Sequence, residues 1–179
     1  MTQEENAAAD QKRTKPALKL NFLSHGTLES TDLDRARKFY EEFLGLEVVQ
    51  TSPISLMIRL GGLNTIAVVK TPNKKVMSLL NHNGLDVKTR EDVDECHRIV
   101  VEQQEKWGLT HVTKPIDQHG TYTFYFKDPD ENWWEILTNP QGGYSWMFKK
   151  GEDIKNWGWN EDQGFNPNDS KAPQRGRAG

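Results

Sequence analysis

Three residues far apart in the chain, His25, His82 and Glu135, carry the donor types of a mononuclear metal site. Two imidazoles and one carboxylate leave coordination positions open on a divalent ion, most often Fe(II). A substrate bound at an open position is polarised or activated there. Glu135 is the anomaly of the three. It stands between Trp134 and Ile136 in the run Trp133 to Leu137, whose aromatic and branched residues read as a β-strand. A lone carboxylate buried in such a strand costs several kcal/mol or shifts its pKa, unless a cation or hydrogen-bond donors stand beside it. The same pattern also fits an edge strand whose Glu faces water. Each histidine, taken singly, fits a structural role as well.

The elements that position these residues set them apart. Gly120 to Leu137 reads as two strands joined by the tight turn Asp128-Pro129-Asp130. Upstream, Leu18 to Leu28 is a strand holding His25. Thr31 with Asp34 makes a capping-box-like start for a helix, on which Leu33, Ala36, Tyr40, Phe43 and Leu44 recur until Gly45. Strands are expected at Leu46 to Thr51, Ile54 to Leu60 and Thr65 to Val69, the last two separated by Gly61-Gly62-Leu63-Asn64. The order then repeats. Leu79 to Val87 is a strand holding His82. Thr89 caps a helix whose inner face is Val93, Cys96 or His97, Val100 and Trp107, and Gly108 stops it. A strand at Leu109 to Thr113 precedes the hairpin. Two strand-helix-strand-strand-strand units therefore follow one another, each with a His in its first strand, and neither can bury its sheet alone.

Composition bounds the rest. The chain has 179 residues, 35% of them hydrophobic, and a mean hydropathy of -0.81, which fits one domain with polar ends. The expected organisation is a disordered tail at 1–17, a domain at 18–138 with units at 18–70 and 79–138, an aromatic extension at 139–165, and a disordered tail at 166–179. The extension, with Tyr144, Trp146, Phe148, Trp157, Trp159 and Phe165, fits a lid, an oligomer contact or extra core. A net charge of -3 gives no case for nucleic acid or a membrane surface as partner. Cys96, the single cysteine, excludes an internal disulfide and a cysteine-cluster metal site. No stretch is apolar enough to span a bilayer, so the cytoplasm is the expected location.

The duplicated units, the His-bearing first strands and the motif Phe126-Lys127-Asp128-Pro129-Asp130-Glu131-Asn132-Trp133-Trp134-Glu135 resemble the vicinal oxygen chelate superfamily. That superfamily includes glyoxalase I, extradiol dioxygenases, methylmalonyl-CoA epimerase, fosfomycin-resistance thiol transferases and bleomycin-resistance proteins. The resemblance spans Leu18 to Thr138. It implies an α+β fold in which two βαβββ modules form a curved, partly closed mixed sheet around the metal, with helices outside. It also implies that His25, His82 and Glu135 are the metal ligands. Glyoxalase I and the epimerase use a fourth ligand from the first unit. Here Ala67 falls opposite Glu135, and no acid or Gln occurs from Ile54 to Thr71, which favours three ligands.

The order His119, Phe124-Tyr125, Pro129, Glu135 is similar to that of type I extradiol enzymes. That likeness implies an Fe(II) dioxygenase of aromatic catabolism. Its small catechol-like substrate would chelate the metal beside O2, with Tyr125 and His119 as catalytic hydrogen-bonding groups. His119 sits closer to Tyr125 than in that pattern, Glu131 replaces the usual turn Gly, and no further acid-base His occurs between Leu56 and Asn81. Thr27 beside His25 resembles the fosfomycin enzymes. Thr123, on the strand face of Tyr125, would join Thr27 in binding substrate, with Trp133 and Trp146 as an apolar wall. Two alternatives stay open: a lyase, isomerase or thiol transferase using Mn, Ni or Zn, and a metal-free binder like the bleomycin-resistance members. Superfamily members exchange units between chains, so a homodimer, with a site in one chain or across two, is also open.

Overall fold

The computed structural model describes residues 17–18, 22–118, 120–139 and 143–148, the side chains of Ser145 and Trp146 excepted. His119, the Trp146 side chain and most of both expected tails therefore lie outside the described residues. The first unit runs β1 (His25–Ser30), α1 (Leu33–Lys38), β2 (Glu47–Ser52), β3 (Ser55–Arg59) and β4 (Thr65–Lys70). The second runs β5 (His82–Asp86), α2 (Arg90–Glu102), α3 (Gln104–Trp107), β6 (Ile116–Gln118), β7 (Thr121–Lys127) and β8 (Trp133–Thr138). Each unit makes one four-stranded mixed sheet, in the orders β1-β4-β3-β2 and β5-β8-β7-β6. The first and last strands of each unit pair in parallel, His25 opposite Thr65 and His82 opposite Trp133. This register makes Ala67 the counterpart of Glu135. The fold is α+β, built from two open sheets.

Local chemistry explains the departures from the expected elements. α1 is capped by Asp32, whose carboxylate accepts the backbone N–H groups of Asp34 and Arg35. Thr31 was the expected cap, but its N–H and hydroxyl are given to Asp130 in the second unit. A π-helical turn, Phe39–Phe43, follows α1 and ends at Gly45, whose φ of 69° suits a residue without a Cβ. That wider turn points Phe39, Tyr40 and Phe43 at Trp107, Trp134 and Phe126. α2 opens with the expected Thr89 cap, completed into a capping box by Asp92.

The expected strand Leu109 to Thr113 is only a bridge, Thr110 to Lys127. His111 takes a left-handed φ of 54° and Pro115 has no N–H, so regular pairing with β7 resumes only at Ile116. β1 likewise begins at His25, later than Leu18. One core joins the units: Leu56, Ile58 and Val68 of the first sheet, Phe124, Phe126, Trp134 and Ile136 of the second, and Ala36, Phe39, Tyr40, Val93 and Val100 of the helices. The helices thus cover one face of the second sheet and leave the face of Trp133, Glu135 and Leu137 on the other side. Among the described residues, no helix is long and apolar enough to cross a membrane.

Candidate metal centre

β8 lies between β5 and β7, so Glu135 is on an interior strand and not an edge, and it is 8% exposed. Its neighbours in register are Gly84 on β5 and Tyr125 on β7. Alternation puts Glu135 on one face with Trp133, Leu137, Thr121, Thr123, Tyr125, Lys127 and Gln118. His82, two residues from Gly84, joins that face.

Donors surround the carboxylate. Oε1 accepts the hydroxyls of Thr123 at 2.8 Å and Tyr125 at 2.7 Å. Oε2 stands 3.2 Å from Nε2 of His82. The Nδ1 of His82 lies 2.7 Å from the Leu79 carbonyl, which can only accept, so Nδ1 carries a proton. Nε2 is therefore the nitrogen that faces Glu135. Burial raises the Glu135 pKa, but the bonds from His82, Tyr125 and Thr123 outweigh it and hold the carboxyl below its ordinary value. His82 is raised, first by its bond to Glu135 and against its own burial. Burial and the Glu135 charge push the Tyr125 phenol far up, so it stays a donor.

Two observations test the fit of a divalent ion. Ligand atoms each about 2.1 Å from one ion stand roughly 3 Å apart at a bond angle near 95°, close to the 3.2 Å between Nε2 and Oε2. A histidine ligand also gives its other N–H to a carbonyl, as His82 does. Second, Gly84 brings no side chain against the carboxylate: a Cβ there would lie 3.6 Å from Oε2 and a tight 3.2 Å from Leu137 Cδ2. His82 and Glu135 fit such an ion.

The expected third ligand is elsewhere. His25 is exposed on β1, with Ser24 Oγ 2.9 Å from its Nδ1, and Thr27 is exposed two residues on. Among the described residues, no three His, Cys, Asp or Glu side chains converge on one point. Trp133 is buried: its indole N–H bonds the Met77 carbonyl, and His111 and the Lys127 ammonium cover its ring. The single Thr123 hydroxyl proton is shared between Glu135 Oε1 at 2.8 Å and the Ile136 carbonyl at 2.9 Å. Gln118, not singled out from sequence, donates its side-chain amide to the Tyr125 hydroxyl. Burial, and then the charges of Glu135 and Asp86, raise the pKa of Tyr144 in the C-terminal segment.

The model of the Glyoxalase/Bleomycin resistance protein/Dioxygenase superfamily matches residues 23–136. The chain belongs to that superfamily. A search of curated proteins finds no match. Among solved structures, the chain is similar to lactoylglutathione lyase from Agrobacterium tumefaciens, at 20% identity and TM-score 0.53, over 73% of this chain and 100% of that one. A glyoxalase/bleomycin resistance protein from Albidiferax ferrireducens T118 is similar at 22% identity and TM-score 0.51, over 66% and 98%. Hypothetical protein SA1046 from S. aureus is similar at 24% and 0.51, over 66% and 97%. At these identities the likeness is one of fold.

Proposed function

We propose that this chain is a divalent-metal enzyme of its superfamily, with His82 and Glu135 as ligands and His25 supplied by a second copy of the chain. The observation that carries the reading is the 3.2 Å approach of His82 Nε2 to Glu135 Oε2, beside the space left by Gly84. The exposure of His25 and Thr27 supports a site shared between copies. So do the exposed apolar residues of the first unit, among them Val49, Leu60 and Leu63. The reaction we propose is extradiol cleavage of a catechol-like substrate by O2, with Fe(II) as the metal. His82 and Glu135 would hold the ion, which would supply Lewis-acid polarisation of a bound substrate oxygen. Tyr125 holds its hydroxyl proton at Glu135 Oε1, within the same face as the substrate space. Trp133 and Leu137 wall that face against water.

A metal-free binding role is the second reading, because the Thr123 and Tyr125 hydroxyls already donate to Glu135, with His82 Nε2 at 3.2 Å, without an ion. Metal analysis of protein purified without air separates the two. About one Fe(II) per chain, with O2 uptake on a panel of catechols, supports the dioxygenase. Bound Mn, Ni or Zn without O2 uptake moves the reaction to the lyases and isomerases. Mixing His25→Ala protein with Glu135→Ala protein tests the shared site. A shared site restores one intact centre in each mixed dimer, about a quarter of all centres after random exchange, whereas a site within one chain restores none.

A further inference from the structure

We propose that Gln118 is a positioning residue of this centre, acting through Tyr125 to decide how Glu135 presents its oxygens. The proposal rests on the reading that Glu135 is a ligand, and it follows from a proton inventory. An ionised carboxylate only accepts, so the 2.7 Å contact between Tyr125 and Glu135 Oε1 takes the single phenol proton. The phenol oxygen then has only lone pairs for its other neighbour. That neighbour is the Gln118 side chain, which must turn its NH2, a pure donor, toward the phenol. The Tyr125 proton therefore points at Glu135, and Gln118 reinforces that direction by donating to the phenol oxygen.

The backbone holds Gln118 in place. It ends β6 in register with Thr121, whose buried hydroxyl donates to the Gln118 carbonyl at 2.9 Å. An amide donor on the phenol oxygen polarises the phenol and strengthens its own donation, as in any chain of hydrogen bonds. With Tyr125 and Thr123 both held on Oε1, only Oε2 faces His82 and the space by Gly84. Glu135 is thereby kept as a ligand through one oxygen. Without Gln118 the phenol bond weakens, Oε1 recovers charge, and the carboxylate can meet an ion with both oxygens.

Gln118→Met keeps the side-chain length and removes the donor, and Gln118→Ala replaces it should the Met variant fail to fold by circular dichroism. Each is made alone and together with Tyr125→Phe. In metal-free protein, the carbon-13 resonance of the Glu135 carboxyl, assigned by loss in Glu135→Gln, is expected to move on Gln118→Met. The same substitution in the Tyr125→Phe background is expected to leave it unmoved. In a Mn(II) titration, Gln118→Met should change the affinity about tenfold or more with tyrosine present and have no effect with phenylalanine. Equal effects in both backgrounds, or an unmoved resonance, overturn the proposal. If the unsubstituted protein binds neither Mn(II) nor Fe(II), the metal reading fails by itself, and the resonance still decides the role of Gln118.

Discussion

Asp130 Oδ1 lies 2.6 Å from the Arg35 guanidinium, joining the hairpin turn of the second unit to the first helix of the first. The same carboxylate accepts the Ser30 hydroxyl at 2.7 Å and the N–H and hydroxyl of Thr31 at 3.0 and 2.9 Å. Asp130 is buried, while the Arg35 side chain is 45% exposed. The buried Ser30 bond therefore dominates, and the ion pair is screened by solvent. Asp130→Ala is expected to cost about 1–3 kcal/mol, because it removes the acceptor of the buried Ser30 hydroxyl. Arg35→Ala should cost about 1 kcal/mol or less. Urea unfolding monitored by tryptophan fluorescence checks both. Equal costs would mean that the ion pair, and not the buried Ser30 bond, holds the joint.

Asp128 sits one turn deeper in the same joint. Its Oδ1 accepts the N–H groups of Asp130 and Asn132. Its Oδ2 accepts from Tyr40, the Asn132 amide and the Trp134 indole. Asp128→Asn keeps the shape but puts an NH2 against at least two donors. The expected loss is about 2–4 kcal/mol, or roughly 4–16 °C in Tm. Calorimetry measures it. A change below about 0.5 kcal/mol would mean that water re-satisfies these donors.

What the sequence made legible was whatever a local pattern or a buried charge exposes. Glu135 is readable because a carboxylate among Trp133, Trp134 and Ile136 demands partners, and His82 because the repeat places it beside the last strand. Gln118 is not readable: Asp117-Gln118 is an ordinary polar pair until His111 and Pro115 delay the strand to Ile116. Thr31 reads as the helix cap, and only the structure shows Asp130, 99 residues away, taking its hydroxyl and leaving the cap to Asp32. Partners that arrive from the other unit leave no trace in spacing.

The His82–Glu135 pair predicts a pH dependence for metal-free protein. His82 is raised, so its contribution to stability is complete below about 6.5, its unfolded value, and is lost as pH rises through the folded value. Glu135 is lowered, so its contribution is present above about 4.3 and is lost as pH falls through the folded value. The pair thus stabilises most between about pH 4.5 and 6.5. His97 is lowered by burial and acts oppositely, gaining stability as pH rises. The informative quantity is therefore the difference from His82→Asn. With chelator present, calorimetry at about pH 6 and about pH 8.5 should show the unsubstituted protein losing more Tm than the variant. Parallel losses would mean that the pair is not formed.

Gly84→Ala separates ligand space from packing. Gly84 is on a regular strand and not at a positive φ, so alanine brings no backbone strain. Its methyl would meet Leu137 Cδ2 at 3.2 Å, a contact that the end of a flexible side chain can relieve. The stability cost should stay near 1–2 kcal/mol, about that of mild overpacking, or roughly 2–8 °C in Tm. The same methyl stands 3.6 Å from Glu135 Oε2, in the space an ion or its substrate needs. Metal affinity should therefore fall about tenfold or more, the scale of disturbing a ligand's immediate surroundings. Gly84→Val, with two further methyls, should abolish binding while the chain still folds at low temperature. Affinity measured by Mn(II) titration and Tm measured by calorimetry on the same samples decide the matter. If Gly84→Ala binds metal as the unsubstituted protein does, the space beside Oε2 serves packing, and the ion does not sit there.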